Sequence, residues 1–204
     1  MGVSLRAGAH FYNYSRHMSD QRPQLTALPA PRTLAPTTAP AIRWGVLAPG
    51  GIARAFAHAV VTDTASSITA VGSRSLDRAQ SFIEEFGNVS RGAKAHASYE
   101  ALVNDDNIDA IYIASPHSEH HAHVTLALTA NKPVLVEKAF TRNAAEARDI
   151  VQLARDKHLL LVEAMWTRFL PHIDIVRQLL ETDELGEITT IIADHGQYIG
   201  RGQQ

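Results

Sequence analysis

Cysteine is absent from all 204 residues of the chain. Its absence excludes disulfide bonds, zinc sites built on thiolates and cysteine nucleophiles. Long hydrophobic runs are also missing, since no apolar stretch approaches the roughly 20 residues that cross a bilayer. Basic and acidic residues nearly balance, at 19 and 21. We therefore expect no nucleic-acid partner and no membrane partner, and a cytoplasmic location is the default expectation.

The first 40 residues have little of the apolar periodicity that builds a core. Five prolines lie between Pro23 and Pro40, and Asp20 is the one acidic residue of the segment. Proline removes backbone donors and resists the interiors of helices and strands. Residues 1–40 are therefore predicted to be a disordered leader. An arginine-rich, acid-poor leader is also typical of a transit peptide, and a non-native or mis-assigned start, with Met18 as an internal alternative, is the other interpretation.

From Ala41 onwards, short apolar runs alternate with segments of helical periodicity. This alternation predicts an α/β fold with a doubly wound parallel sheet of the Rossmann type, over residues 41–163. Strands are predicted at 42–47, 67–72, 109–114, 134–136 and 159–162. Helices are predicted at 52–61, 76–86, 99–103, 119–130 and 143–157, the last capped by Asn143.

Residues 164–204 follow a different pattern. The segment 170–180 has helical periodicity, and 188–193 is predicted to be a strand. A lone strand does not form a stable sheet. We therefore expect 164–204 to be the incomplete start of a second, α+β domain.

A glycine-containing turn follows the first predicted strand. It reads Ala48-Pro49-Gly50-Gly51-Ile52-Ala53, at the position of the dinucleotide fingerprint G-x-G-x-x-G/A. Gly50 lets the backbone approach a pyrophosphate, and Ala53 lets the helix pack close to the strand. The start of the helix at Gly51 and Ile52 offers free N–H groups to a phosphate. Ala48 stands where the fingerprint has its first glycine, and an ordinary strand-to-helix turn is the alternative.

The second predicted strand ends in Gly72-Ser73-Arg74-Ser75. NAD sites usually have an acid here for the ribose 2′-hydroxyl, but the first acid is Asp77, inside the next helix. Arg74 can instead pair with a 2′-phosphate, with Ser73, Ser75 and Arg78 nearby. The sequence therefore predicts NADP rather than NAD as the cofactor. An exposed loop arginine is the alternative.

Five segments in this order resemble the glucose–fructose oxidoreductase / inositol dehydrogenase (Gfo/Idh/MocA) family, over about residues 41–197. The fifth segment is similar to the branch with dimeric dihydrodiol dehydrogenases and NADP-dependent xylose dehydrogenases. The segments are Trp44 to Ala53, Ser73-Arg74-Ser75, Ser115-Pro116-His117 followed by His120, Val134-Leu135-Val136-Glu137-Lys138, and Glu163-Ala164-Met165-Trp166-Thr167-Arg168-Phe169-Leu170-Pro171.

The resemblance implies a hydride transfer between nicotinamide and the hydroxyl of a sugar or trans-diol. It places the family's catalytic lysine, within a Glu-Lys-Pro motif, on Glu137-Lys138, and Ala139 replaces the proline. Alcohol oxidation needs a proton acceptor while the hydride leaves. An exposed lysine is a poor base at neutral pH, but partial burial and the positive nicotinamide ring lower its pKa into the useful range. A solvated loop lysine is the alternative for Lys138. Lys138 is thus expected to contact both cofactor and substrate.

Other site residues come from the same resemblance. The Ser115-Pro116-His117 turn is expected beside the nicotinamide, and His120 in the pocket. Trp166 and Arg168 match positions near the cofactor and substrate. Trp166 would form an apolar wall for a sugar or diol ring, and core packing is its alternative.

Four histidines crowd one short segment: His117, His120, His121 and His123. Their helical spacing is compatible with zinc. No cysteine assists, Glu119 points elsewhere on a helix, and the resemblance explains His117 and His120. No metal is therefore expected.

The family's second domain carries a Gly-Gly-x-Leu-x-Asp-x-Gly-x-Tyr/His segment that completes the active site, and no such segment precedes Gln204. The resemblance implies that residues 164–204 begin a domain for substrate binding and dimerisation, so the full-length parent is expected to be a homo-oligomer. The alternatives are an inactive nucleotide-binding fragment and an NAD(P)-sensing regulatory protein on the same fold.

Overall fold

The computed structural model describes residues 27–87 and 92–196. The chain divides into two compact units. One unit is Arg32–Leu170, and the other combines Met1–Pro31 with Pro171–Gln204. Most of the predicted disordered leader, residues 1–26, lies outside the described residues.

Six parallel strands form one sheet in the Arg32–Leu170 unit, in the order β3-β2-β1-β4-β5-β6. This confirms the predicted Rossmann-type sheet. The order reverses at β1, and such a switch point is where doubly wound sheets bind ligands. The strands are β1 (Arg43–Leu47), β2 (Ser67–Gly72), β3 (Lys94–His96), β4 (Ala110–Ile113), β5 (Val134–Val136) and β6 (Leu161–Glu163).

Helices connect the strands, and side-chain caps begin three of them. Ser75 accepts a hydrogen bond from the Arg78 N–H, Ser98 from Ala101, and Asn143 from Ala145 and Glu146, which confirms the predicted Asn143 cap. The helices are α1 (Gly51–Asp63), α2 (Leu76–Phe86), α3 (Tyr99–Val103), α4 (His120–Thr129), α5 (Ala144–Asp156) and, in the other unit, α6 (Pro171–Glu181). Single 3-10 turns lie at Pro36–Thr38, His117–Glu119 and Trp166–Phe169.

Both faces of the sheet are covered, and each face has its own core. Adjacent residues of a strand point to opposite faces. Leu47 packs with Ile111 and Ile113 in one cluster, whereas its neighbour Val46 packs with Tyr112 in the other. This two-sided burial explains why β4 and the second half of β1 have continuous apolar sequences. It also holds the strand ends, and the loops that follow them, in place.

The other unit is described over 27–31 and 171–196. In it, Gln178 on α6 donates a 2.8 Å hydrogen bond to the carbonyl of Ala30. The predicted strand at 188–193 is wrong, because these residues form no ladder in the described chain. Ile191 and Ile192 are 83% and 91% exposed. A run of β-branched residues does not form a strand unless a neighbouring strand is there to pair with it.

Among the described residues, no helix has the length and apolarity needed to span a membrane.

Candidate functional site

The ends of four strands lie side by side. Leu47 on β1 pairs with Gly72 on β2 and with Ile113 on β4, and Ile113 pairs with Val136 on β5. Because these strands are parallel, their carboxyl ends meet at one edge of the sheet. The residues that follow them and line this edge are Ala48, Ser73, Ala114 and Glu137.

The turn between β1 and α1 leaves open space above the start of the helix. A Cβ atom added to Gly50 or Gly51 would meet no protein atom within 4 Å. The first turn of α1 contains no acidic residue. Ala53 is completely buried, so the helix packs closely on the sheet. This open helix N-terminus, with Ile52 in its first turn, suits the pyrophosphate of a dinucleotide.

Ala48 adopts the left-handed backbone conformation, with φ of 65°. Its N–H donates to the Gly72 carbonyl at 3.1 Å, and its own carbonyl accepts from the Gly50 N–H at 2.9 Å. The turn therefore has the conformation for which the fingerprint uses glycine, although alanine occupies the position. Ala48 retains the turn at a cost in backbone strain.

A cavity of about 630 Å³, the switch-point cavity, opens between the loops after β1, β2 and β4. It brings together seven of the predicted cofactor-binding residues, which are Ala48, Gly50, Ser73, Arg74, Arg78, Ser115 and Pro116. It also includes Ser75, which the sequence analysis places near Arg74, and Tyr99, which it does not assign to the site. In the described part of the chain, no carboxylate forms an ion pair with Arg74 or Arg78, so both are available to an anion.

A second cavity of about 480 Å³, the outer cavity, adjoins the first. The two cavities share Arg74, Tyr99 and Pro116. The outer cavity's other lining residues are Ala97, Ser98, Glu100, Glu119 and His123. Sequence reasoning missed this region because β3, which precedes it, has the polar sequence Lys-Ala-His and no apolar run.

Glu137 and Lys138 follow β5 at the same edge of the sheet. Tyr112 donates a 2.6 Å hydrogen bond to Glu137 Oε1, and the Lys138 backbone N–H donates to Glu137 Oε2 at 3.2 Å. Burial, and then the hydrogen bond to Glu137, raise the pKa of Tyr112, which keeps its hydroxyl a donor. The Lys138 side chain is exposed, so the expected partial burial is not found in this chain, and the peptide bond to Ala139 is cis. Neither Glu137 nor Lys138 lines the two cavities.

His120 contacts the loop after β4 and the loop after β5. It is completely buried, its Nε2 lies 2.9 Å from the Ser115 carbonyl, and its Nδ1 lies 2.8 Å from the Ala139 carbonyl. The loop after β4 is thus tied to the loop that carries Lys138. The structure gives His120 contacts with these two loops and no exposed surface for a ligand.

The remaining histidines have separate environments. His123 Nδ1 lies 2.9 Å from Ser115 Oγ, and its ring meets Tyr99 edge-on at 4.7 Å. Burial is the main cause that lowers the pKa of His123. His121 instead pairs with Asp149 on the surface at 2.7 Å, and His117 is exposed. Over residues 27–87 and 92–196, no three such side chains converge as metal ligands do.

Trp166 and Arg168 lie in the 3-10 turn after β6. Both are exposed, Trp166 by 66%, and neither lines the two cavities. Their predicted contacts with cofactor and substrate remain predictions.

The chain is similar to a family of known oxidoreductases. The model of the GFO_IDH_MocA oxidoreductase family, with an NAD-binding Rossmann fold, matches residues 42–165. D-xylose 1-dehydrogenase (NADP(+)) of Hypocrea jecorina is 41% identical over 162 residues, which are 75% of this chain and 41% of that protein. Trans-1,2-dihydrobenzene-1,2-diol dehydrogenase of Sus scrofa is 38% identical over 161 residues, 78% of this chain and 47% of that protein. The chain therefore spans less than half the length of these relatives.

Solved structures show the same fold. The 3-ketoreductase KijD10 from Actinomadura kijaniata, in complex with NADP and TDP-benzene, superposes with a TM-score of 0.63 and 33% identity. The match covers 70% of this chain and 43% of that protein.

Proposed function

Because this chain belongs to the Gfo/Idh/MocA oxidoreductase family, we propose that it provides the NADP-binding part of a dehydrogenase for a sugar or a trans-diol. The observation that carries the proposal is the switch-point cavity, where the phosphate turn and Arg74 face the same space. The relatives named for xylose and for dihydrobenzenediol support the substrate class.

The residues present fit NADP. Gly50 and Gly51 leave room for a pyrophosphate above the N-terminus of α1. Arg74 and Arg78, with Ser73 beside them, offer charged donors to a 2′-phosphate. Among the described residues, no acid lines this cavity to receive a free ribose 2′-hydroxyl, as NAD sites usually require.

The bound cofactor would supply a nicotinamide that accepts or returns a hydride. Lys138 is exposed at the end of β5 in this chain, and bound cofactor and substrate would cover it. Its Nζ, when neutral, takes the hydroxyl proton of the substrate. Glu137 accepts a hydrogen bond from the Lys138 backbone N–H, so the start of this loop has a defined position. Trp166, after the neighbouring β6, provides an apolar wall for the substrate ring.

Calorimetric titration of the full chain with NADP and with NAD tests the cofactor. NADP is expected to bind at least about tenfold more tightly, which corresponds to about 1.4 kcal/mol. Arg74→Ala should remove most of this preference, whereas Arg148→Ala, an equivalent change on the exposed face of α5, should leave it unchanged. Equal affinities for NADP and NAD in the unaltered chain would overturn the proposal.

The role of Lys138 is tested in the active enzyme with a panel of pentoses, hexoses and trans-diols. Lys138→Ala should lower turnover by roughly 10²–10⁴-fold, and NADP affinity should change little. Turnover that stays within a few-fold would show that another group accepts the proton.

A further inference from the structure

The loop that carries Lys138 is fixed on both sides of that residue. Before it, Glu137 Oε2 accepts a hydrogen bond from the Lys138 N–H at 3.2 Å. After it, the Phe140 N–H donates to Glu163 Oε1 at 2.8 Å, the shorter of the two contacts. The Lys138 side chain itself forms no hydrogen bond or ion pair with another residue of the described chain. The position of its Nζ therefore depends on how the backbone of the loop is held.

Glu163 reaches this loop from the neighbouring strand. It is the last residue of β6, and it lies opposite Val136 in the parallel ladder between β5 and β6. The Ala164 N–H donates to the Val136 carbonyl at 2.7 Å, so the two strands stay paired up to the start of the loop. The Glu163 backbone therefore has a fixed position, from which its half-buried side chain extends to Phe140.

One peptide group of the loop contacts two side chains. The Ala139 carbonyl lies 2.8 Å from His120 Nδ1, and the Phe140 N–H of the same peptide group donates to Glu163. A neutral His120 ring has one N–H and faces two carbonyls, so it donates to only one of them. An ionised carboxylate only accepts, so the bond from Phe140 to Glu163 does not depend on a tautomer. Because the peptide group is planar, this bond fixes the orientation of the whole group.

Phe140 also anchors the loop through its ring. The ring packs against the core cluster that contains Ile113 and Val136. Only Ala139 separates this anchor from Lys138, and alanine has no ring to restrict its φ as proline has. Without the Glu163 bond, the backbone is therefore able to turn at Ala139 and to move the Lys138 side chain.

We propose that Glu163 is a positioning residue, which places Lys138 Nζ beside the nicotinamide end of the cofactor by holding the Phe140 N–H. This proposal rests on the proposed function, because it requires Lys138 to face bound NADP. The role needs one acceptor oxygen and does not need the negative charge. A glutamine at this position should therefore serve as well as the glutamate, whereas an alanine should not.

The test measures where Lys138 lies relative to bound cofactor. Periodate converts NADP into a dialdehyde at the nicotinamide ribose only, because the 2′-phosphate protects the other ribose. A lysine amine beside that ribose condenses with an aldehyde and releases water, and borohydride reduces the resulting imine to a stable amine. Mass spectrometry of the full chain then gives the labelling rate of Lys138, with the exposed Lys94 as an internal reference.

Glu163→Ala is expected to slow the labelling of Lys138 by about tenfold, since a displacement of about 1 Å costs up to roughly 10²-fold in a reaction that depends on orientation. Glu163→Gln keeps an acceptor oxygen for the Phe140 N–H, so its labelling rate should stay within about twofold of the unaltered chain. The labelling of Lys94 and the affinity for unmodified NADP should be the same in both variants as in the unaltered chain, which shows that the fold is intact.

Glu146→Ala is the matched control. Glu146 is also half-buried, and its Oε2 accepts a hydrogen bond from another backbone N–H of the same loop, that of Arg142, at 3.2 Å. This variant should label Lys138 at the unaltered rate.

Four results would overturn the inference but not the proposed function. They are an unchanged labelling rate in Glu163→Ala, a loss of NADP affinity in that variant, an equal loss of labelling in Glu163→Gln, and an equal loss in Glu146→Ala. An unaltered chain that binds NADP without labelling at Lys138, or that does not bind NADP, would overturn both.

Discussion

Tyr112 and Glu137 are joined by a 2.6 Å hydrogen bond, in which the phenol on β4 donates to Oε1 of the carboxylate after β5. Tyr112 is only 1% exposed, and its ring stacks on Phe56 with 3.8 Å between centroids. A buried tyrosine hydroxyl needs a polar partner, and here that partner immediately precedes Lys138. One side chain of the core thus determines where the loop carrying Lys138 begins.

Tyr112→Phe should therefore destabilise the chain by about 1.5–3 kcal/mol, as expected for a hydrogen bond to a charged group. The ring and its stacking on Phe56 remain, so the loss belongs to the hydroxyl. Urea denaturation of the chain and the variant measures the difference.

A double-mutant cycle with Glu137→Gln isolates the Tyr112–Glu137 contact. The two substitutions should be clearly non-additive, because each removes part of the same interaction. If the effects add to within about 0.5 kcal/mol, the hydrogen bond does not contribute to stability as we expect.

Ala48→Gly should stabilise the chain. Ala48 has a φ of 65°, a conformation that costs an L-residue about 1–2 kcal/mol and glycine almost nothing. Glycine loses about 0.4–1 kcal/mol more conformational entropy on folding, so a net gain of about 0.5–1 kcal/mol is expected. The control Ala147→Gly makes the same chemical change further inside α5 and should destabilise by about 1 kcal/mol. Thermal unfolding that ranks the two variants in the opposite order would contradict the prediction.

His120→Ala should be far more damaging than His121→Ala. The first change removes the hydrogen bond that the buried ring donates to the Ser115 or the Ala139 carbonyl, at about 1–3 kcal/mol, and opens a cavity. The second removes only a surface pair with Asp149, worth about 1 kcal/mol or less. Denaturant midpoints compare the two variants directly, and similar losses would show that the buried contacts of His120 add little.

His123 makes the stability depend on pH. Burial is the first cause of its lowered pKa, although Glu119 and Glu100 oppose the shift while His120 and Arg74 add to it. Below the ordinary pKa of about 6.5, the unfolded chain takes up a proton that folded His123 resists. Its contribution is therefore complete above about pH 6.5 and is lost as the pH falls towards the folded pKa.

His123→Asn keeps a polar group beside Ser115 Oγ and removes the titration. We expect its free energy of unfolding to fall less between pH 7.5 and pH 5 than that of the unaltered chain. Parallel pH profiles for the two proteins would rule out this role for His123.

The succession of helices and strands was predictable from local patterns. The segments Ser67–Gly72, Leu76–Phe86 and Val134–Val136 were predicted with their observed limits. Periodicity, caps such as Asn143 and turn residues act over a few neighbouring positions, so a sequence reveals them directly. The phosphate turn and Arg74 were recognisable for the same reason, since each directly follows a strand.

Two strand predictions failed, because strand formation depends on pairing with segments distant in the sequence: β3 was not predicted, and a strand at 188–193 was predicted but is absent from the described chain. β3 has only three residues and a polar sequence, and its existence depends on the edge that β2 offers. The segment 188–193 has a strand-like sequence but no strand beside it in the described chain. Strand formation requires a partner, and no local pattern shows whether one is present.

The sequence alone was sufficient for the α/β class, the phosphate turn and the basic residue expected at the 2′-phosphate, because each follows from neighbouring residues. Only the tertiary structure decided that Tyr99, Glu100 and Glu119 adjoin Arg74, that His120 lies beneath the loops it joins, and that Tyr112 holds Glu137. These contacts depend on the lateral order of the strands. That order results from the burial of both sheet faces together, which the pattern of any one segment cannot specify.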